Sequence, residues 1–385
     1  MNVLIFHHSA DLYGSGKTLL DLVSGLDHQE FKVTVLMSED GPLVPCLRAA
    51  GCTVHLVPLL GASRATFTPQ NLLKLVLENR RSLRAIAKVV SPADVDIVHS
   101  NTIAVLSGAI WARLHRKPHL WHVHEIVETP AIVRKAFGLM LSALSDRVVH
   151  NSRATMLHWC ATRPSLTALS EVVVNGMGRP APADEAQAAA LRATLGVPAD
   201  MPVVTLVGRI NRWKGQRLLV SAAGELWNRG VRNVRFLMVG SPPHGQGHFL
   251  DQLRADVAAS PAREAITLMD FQSNIWTVWD ASDVAVVPSI EPEPFGLVAV
   301  EAMVAGKPVI AAKHGGLVEI VESTGGGILF EPGNVQALAA AIGDLLQDEA
   351  KRKDLGRRGL AGVDVHFSIR HHVQAFEAIY RAMRR

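Results

Sequence analysis

Two glutamates eight residues apart, Glu293 and Glu301, stand in the run Pro288-Ser-Ile-Glu-Pro-Glu-Pro-Phe-Gly-Leu-Val-Ala-Val-Glu-Ala-Met303. The prolines and the glycine put Glu293 in a loop. The apolar stretch from Leu297 opens a helix, with Glu301 about one turn inside it. Both carboxylates can then face one ligand at that helix start and accept hydrogen bonds from ribose or sugar hydroxyls. The N–H groups of Phe295, Gly296 and Leu297 stand where phosphate or sugar oxygens dock on a helix N-terminus. Either glutamate alone reads as an exposed loop residue or a carboxylate favoured by the helix dipole. Their joint setting points to a ligand.

A second constellation, Val207-Gly-Arg-Ile-Asn-Arg-Trp-Lys-Gly215, places Arg209 and Lys214 on a short loop ahead of another helix. Two cations and a helix N-terminus suit a diphosphate. A third, Gly14-Ser15-Gly16-Lys17-Thr18, imitates a nucleotide P-loop, but Asp11 stands where the P-loop requires glycine. What remains is a Gly-rich turn into a helix, suited to an anion or a closely approaching ligand, or simply a tight strand-to-helix turn. In His119-Leu-Trp-His-Val-His-Glu125, His122 and His124 share one face of a strand. His122 reads as a hydrogen-bonded core residue, and no third ligand at zinc spacing stands nearby. His99-Ser100-Asn101 and the pair His7 and His8 also close strands and can line a cleft. Asp94-Val95-Asp96 spells a metal-holding pair, yet it precedes its strand and so reads as a surface turn.

These residues need elements that hold them at one edge. Short apolar β-branched runs alternate with helix-period segments along the whole chain. The strands expected are Val3–Phe6, Lys32–Met37, Val54–Val57, Asp96–His99, His119–Val123 and Arg147–His150. Past the middle they are Val203–Val207, Arg235–Val239, Ile266–Met269, Val284–Val287, Pro308–Ala311 and Gly327–Phe330. Continuous apolar strands separated by amphipathic helices indicate parallel sheets covered on both faces, hence two doubly wound α/β domains. The stretch Asn175–Pro182, with two glycines and two prolines, marks the boundary. In such sheets ligands sit beyond the carboxyl ends of the strands, where the chemistry-bearing residues fall.

Composition narrows the classes. Of 385 residues 48% are hydrophobic and 19% charged, which excludes a disordered or fibrous chain. No apolar run reaches the roughly 18 residues of a membrane-spanning helix. The opening Met1–Phe6 reads as a buried strand and not as a signal peptide. Three cysteines (Cys46, Cys52, Cys160) without metal spacing suggest reduced thiols in a cytoplasm. The net charge of +4 is uneven: residues 1–183 hold 18 basic and 13 acidic side chains, and 184–385 hold 21 and 22. That modest excess, without an aromatic-plus-basic recognition motif, speaks against nucleic acid as a partner.

The run from Glu293 to Met303, followed by Gly306-Lys-Pro-Val-Ile-Ala311 and Gly315-Gly-Leu-Val-Glu-Ile-Val321, resembles the signature of glycosyltransferase family 4. These are retaining enzymes of the GT-B fold. Val207-Gly208-Arg209 through Lys214-Gly215 is similar to the family's diphosphate segment. Val174-Asn175-Gly176 is similar to the turn closing its first domain, and Phe367-Ser368 to the opening of its last helix. Nearly the whole chain is covered. The resemblance implies two Rossmann-like doubly wound domains facing across a cleft. Residues 1–180 form the acceptor side and 181–368 bind the nucleotide sugar, while a helix over 369–385 packs back on the first domain.

The resemblance also implies roles. Arg209 and Lys214 hold the donor diphosphate, which Gly14 and Gly16 approach from the other domain. Glu301 holds the ribose, Glu293 contacts the donor sugar, and the amides of Phe295, Gly296 and Leu297 hold sugar or phosphate oxygens. His124 faces the donor sugar as a catalytic residue beside Glu293. At the Gly-rich turn, Gly-Ser-Gly-Lys stands in place of the family's commoner Gly-Gly-Ala-Glu. Neither a metal nor a cofactor is implied, the cations and helix dipoles standing in for one. The expected reaction is same-face attack with retention, the leaving phosphate taking the acceptor proton. The acceptor stays open between an anionic and a lipid-linked or cell-surface glycan. Asn71–Val90, with Lys74, Arg80, Arg81, Arg84 and Lys88 against Glu78, reads as a basic amphipathic helix. It suits either an anionic membrane's inner face or plain solvation. A non-catalytic nucleotide-sugar binder and a nucleotide-sugar epimerase are the alternatives.

Overall fold

A computed structural model of the chain describes residues 1–61 and 72–384. Contacts divide it into two compact units: Met1–Gly176 together with the chain from Ile369 onward, and Met177–Ser368. The division falls inside the Gly- and Pro-rich stretch.

The first unit carries β1 (Asn2–His7), β2 (Lys32–Met37), β3 (Thr53–Leu56), β4 (Ile97–Asn101), β5 (His119–Val123), β6 (Arg147–His150) and β7 (Ser170–Val172). They form one sheet in the order β3-β2-β1-β4-β5-β6-β7, and every pairing is parallel. The central strands β1, β4 and β5 are almost wholly buried on both faces, which is why apolar residues stand next to one another in them, whereas the edge strands β3 and β7 are partly exposed. Two differences from the sequence expectation bear on function. β7 was not foreseen, because Ser170-Glu171-Val172 is short, half-buried and polar at an edge. β4 runs to Asn101 and not to His99, so His99 lies within the strand and Asn101 closes it.

The second unit carries β8 (Val203–Val207), β9 (Arg235–Val239), β10 (Ile266–Met269), β11 (Val284–Val287), β12 (Val309–Ala312) and β13 (Gly327–Phe330). Their order is β10-β9-β8-β11-β12-β13, again all parallel. Both sheets reverse strand order beside their first strand, between β1 and β4 and between β8 and β11. Ligands of doubly wound sheets bind beyond the carboxyl ends at that switch point, because the flanking loops diverge there and leave a crevice.

The last helix, Ile369–Met383, belongs to the first unit. Val373, Phe376, Ile379, Tyr380 and Met383 recur at helical spacing and enter the core with Leu19, Leu22, Val23 and Phe31. Phe376 and Tyr380 are fully buried, and Tyr380 Oη lies 2.7 Å from His99 Nδ1. Each such aromatic contributes about 2–3 kcal/mol by leaving water. The basic helix spans Leu72–Ile86, and Asn71, placed in it from sequence, lies outside the described residues.

Candidate active site

At the switch point of the second unit, two loops are stapled together. The loop after β8 is folded by Asn211, whose side-chain oxygen accepts from the N–H groups of Trp213 and Lys214 at 3.1 and 3.0 Å. Gly215 then enters the helix Gln216–Asn228 with φ +79°, and a Cβ there would sit 2.0 Å from the carbonyl oxygen of Pro288. Only glycine meets both demands. Ile290 N–H donates to Trp213 O at 2.8 Å, tying this loop to the one after β11.

Lys214 and Glu293 therefore meet, although 79 residues separate them: Nζ donates to Oε1 at 2.6 Å. Ser289 Oγ donates to the same oxygen at 2.6 Å, and the ammonium also lies over the Trp213 ring at 4.3 Å. Glu293 is 4% exposed, so its charge is compensated at close range instead of by water. Its backbone is equally enclosed. Gly316 N–H donates to Glu293 O at 2.8 Å, and a Cβ on Gly315 would stand 2.2 Å from that oxygen. His314 Nε2 lies 2.8 Å from Ser289 O.

Gly296 caps the helix Leu297–Val304 at φ +112°, with Phe295 buried beside it and Glu301 in its second turn, 8% exposed. The first N–H groups of a helix have no acceptor four residues back; that of Ala299 donates to Gly296 O at 2.9 Å, and those of Phe295 to Leu297 lie at the helix start. Arg209 follows β8 half-buried, and its carbonyl accepts from Gln216 Nε2 at 2.9 Å. Arg209, Lys214, Glu293 and the amides of Phe295 and Gly296 thus belong to the loops after β8 and β11, and Leu297 and Glu301 to the helix that follows the second of these loops. The cluster can neutralise an anion and bind hydroxyls at the same time.

The first unit has its own cluster at its own switch point. Gly14 and Gly16 lie in the first turn of the helix Gly14–Gly25, where a Cβ on Gly16 would come 2.2 Å from Asp11 O. Thr18 Oγ1 donates to Gly14 O at 3.1 Å, so the hydroxyl that a P-loop would give a metal serves the backbone. His124 follows β5 half-buried, its Nε2 3.0 Å from Asn101 Oδ1. Burial first, then His7 and His372, pull its pKa down to about 3, so the ring is neutral.

His122 is 1% exposed, its ring 3.9 Å from that of His124 and 4.9 Å from Phe376, which makes it a core residue. His99 differs from its sequence reading. It lies within β4 under the last helix and is fully buried, so it lines no crevice. His7 is likewise buried, with Nδ1 3.1 Å from Asn101 Nδ2. Asp96 Oδ2 accepts from Asn2 N–H at 2.7 Å on the amino side of the sheet, away from the ligand edge. Among the described residues, no three His, Cys, Asp or Glu side chains group as metal ligands.

Two residues of this cluster have partners that sequence reasoning did not identify. Asn101, read there only as a cleft-lining residue, lies two residues past the strand end expected at His99 and closes β4. Glu125 Oε2 accepts from the N–H groups of His124 and Ile103 at 2.9 and 3.2 Å, and burial pushes its pKa up to about 7. Its place directly after His-x-His at a strand end was the available signal.

Two parallel Rossmann-like sheets, with charged and Gly-rich loops at both switch points, define an α/β protein of the GT-B type. Residues 13–176 match Glycosyltransferase Family 4 and residues 187–361 match Glycosyl transferases group 1. The 2-deoxystreptamine glucosyltransferase of Streptomyces kanamyceticus is 31% identical over 73% of this chain and 75% of its own length. The chain belongs to the family 4 glycosyltransferases. A D-inositol 3-phosphate glycosyltransferase from Segniliparus rotundus is 33% identical over 63% of this chain, which spans about half (53%) of that relative. HepE of Anabaena, solved in complex with UDP-glucose, superposes with a TM-score of 0.84 at 25% identity, over 99% of this chain and all (100%) of HepE.

Proposed function

We propose that this chain transfers a sugar, with retention, from a nucleotide-sugar donor to an acceptor hydroxyl without a metal ion. The meeting of Lys214, Glu293 and Ser289 at the switch point of the second unit, next to the helix that carries Glu301, carries the reading. Arg209 and Lys214 take the donor diphosphate, and Glu301 takes the ribose. Glu293 takes the sugar, and the amides of Phe295, Gly296 and Leu297 take sugar or phosphate oxygens. HepE is solved with UDP-glucose, which makes UDP-sugars the donors of first choice. His124 contributes a neutral ring to the donor sugar, and Gly14 and Gly16 contribute a backbone without Cβ atoms.

Chemistry follows from charge. As the anomeric C–O bond to phosphate breaks, the sugar gains oxocarbenium character and the diphosphate gains negative charge. Fixed cations and amide dipoles at the diphosphate stabilise that state more than the ground state. The acceptor oxygen bonds to the anomeric carbon on the face the diphosphate leaves, and its proton passes to the departing phosphate oxygen. Turnover unchanged in excess chelator supports the metal-free reading, whereas loss that a divalent ion restores would sink it.

The acceptor side of the proposal rests on charge. Arg80, Arg81, Arg84 and Lys88 are exposed and line, with Pro58, Leu77 and Ala85, an open groove of about 510 Å³. Such a groove suits an anionic or lipid-linked acceptor and the inner face of a membrane in the cytoplasm. No described helix is long and apolar enough to cross a membrane.

A further inference from the structure

Asn101 closes β4 at the switch point of the first unit, 1% exposed. Its Nδ2 lies 3.2 Å from the carbonyl oxygen of Ser15 and 3.1 Å from His7 Nδ1, and its Oδ1 lies 3.0 Å from His124 Nε2. A backbone carbonyl can only accept, so the Ser15 contact settles which end of the amide carries the hydrogens. Oδ1 then faces His124, and since it too only accepts, the hydrogen between them belongs to Nε2. A neutral imidazole has one N–H, so Nδ1 is left with the lone pair. The buried ring nitrogens of the first unit that lack a partner among the described residues sit on His7, His8, His99, His122, His150 and His372, and Nδ1 of His124 is not among them.

We propose that Asn101 is a positioning residue for His124: it locks the ring as the Nε2–H tautomer and leaves Nδ1 as the acceptor for a hydroxyl of the donor sugar. This rests on the reading of His124 as a donor-sugar contact. Two further bonds make the lock rigid. Glu125 Oε2 holds the His124 backbone N–H and, through Ile103, the loop after β4, so ring and backbone are fixed from both sides. The Ser15 bond ties the same amide to the turn between Gly14 and Gly16. One buried side chain thus couples the ends of β4 and β5 to the Gly-rich turn after β1. An acceptor held in place loses less freedom on binding than one that must choose its tautomer and orientation.

The test has a spectroscopic and a kinetic arm. Nitrogen NMR of the histidines in the full chain reads the tautomer directly, and Nε2–H at His124 is the expected state. An Nδ1–H state in the unaltered protein would overturn the proposal with no variant needed. Asn101→Leu should mix the tautomers and lower kcat about 10- to 100-fold while the donor KM moves less than about threefold. Asn101→Asp keeps an oxygen facing Nε2, so it should keep the tautomer and recover part of kcat. It should also raise the pKa of His124, whose neighbours His7, His99, His122, His372 and Glu125 are otherwise unchanged. Equal kcat in Asn101→Leu alongside a loss in His124→Ala would remove the positioning role and keep the reading of His124. Unchanged transfer in His124→Ala would remove that reading itself.

Discussion

Lys214 and Glu293 neutralise each other in a nearly closed setting, so neither can be removed alone without leaving the other exposed to a low dielectric. Lys214→Met strands a buried carboxylate and should lower stability by about 3–5 kcal/mol. The double variant Lys214→Met/Glu293→Gln should recover most of that loss in urea unfolding, and a double variant no more stable than the single one would contradict the coupling. Gly315 offers a second check. Its φ is +59° and a Cβ would enter the Glu293 carbonyl, so Gly315→Ala should cost about 1–3 kcal/mol and displace Glu293. A melting temperature equal to that of the unaltered chain would contradict this. Much at this scale was legible because Glu293, Glu301, Arg209 and Lys214 follow strands in recognisable runs. Asn101 was legible only as a residue at a strand end and Glu125 only by its place after His-x-His, because no local pattern encodes their bonds to His124, Ser15 and Ile103.

Strands that carry apolar, β-branched runs announce themselves, so twelve of the thirteen described strands were legible. β7 lacked that signature at its polar edge. The end of β4 was misjudged because Ser100 and Asn101 are polar yet buried, satisfied by His119 and by Ser15 and His7. The last helix makes two predictions. Phe376→Ala should destabilise the first unit by about 3–5 kcal/mol, since its ring stacks on His99 with 5.6 Å between centroids. Acid should act through the buried histidines of the same unit. Burial holds His7, His119, His150 and His372 at about 4 and His124 at about 3. These rings stay neutral in the fold, while the unfolded chain binds protons below about pH 6.5. Stability is therefore complete above that pH and falls between about 6.5 and 4, by up to about 1.4 kcal/mol per pH unit for each ring. Glu125 works in the opposite direction: its pKa is raised to about 7, so its contribution is lost as pH rises from about 4.5 to 7. Five rings outweigh one carboxyl, and urea midpoints at pH 7, 6 and 5 should fall in that order.

Across the molecule, the net charge of +4 resolves into a nearly neutral second half and a basic first half. The groove lined by Arg80, Arg81, Arg84 and Lys88 concentrates that excess on one surface. Binding to anionic vesicles should weaken with salt and collapse when Arg80, Arg81 and Arg84 are reversed to glutamate; binding indifferent to both would remove the membrane contact. The central claim concerns the other half: it is the proposal that the second sheet's switch point holds the donor. Turnover of UDP-glucose and related nucleotide sugars, followed as nucleotide release in the unaltered chain and in Glu293→Ala, tests it most directly. The account predicts turnover in the unaltered chain and a loss of at least about 100-fold in the variant. Equal rates in the two proteins, or no turnover of any nucleotide sugar by the unaltered chain, would contradict it.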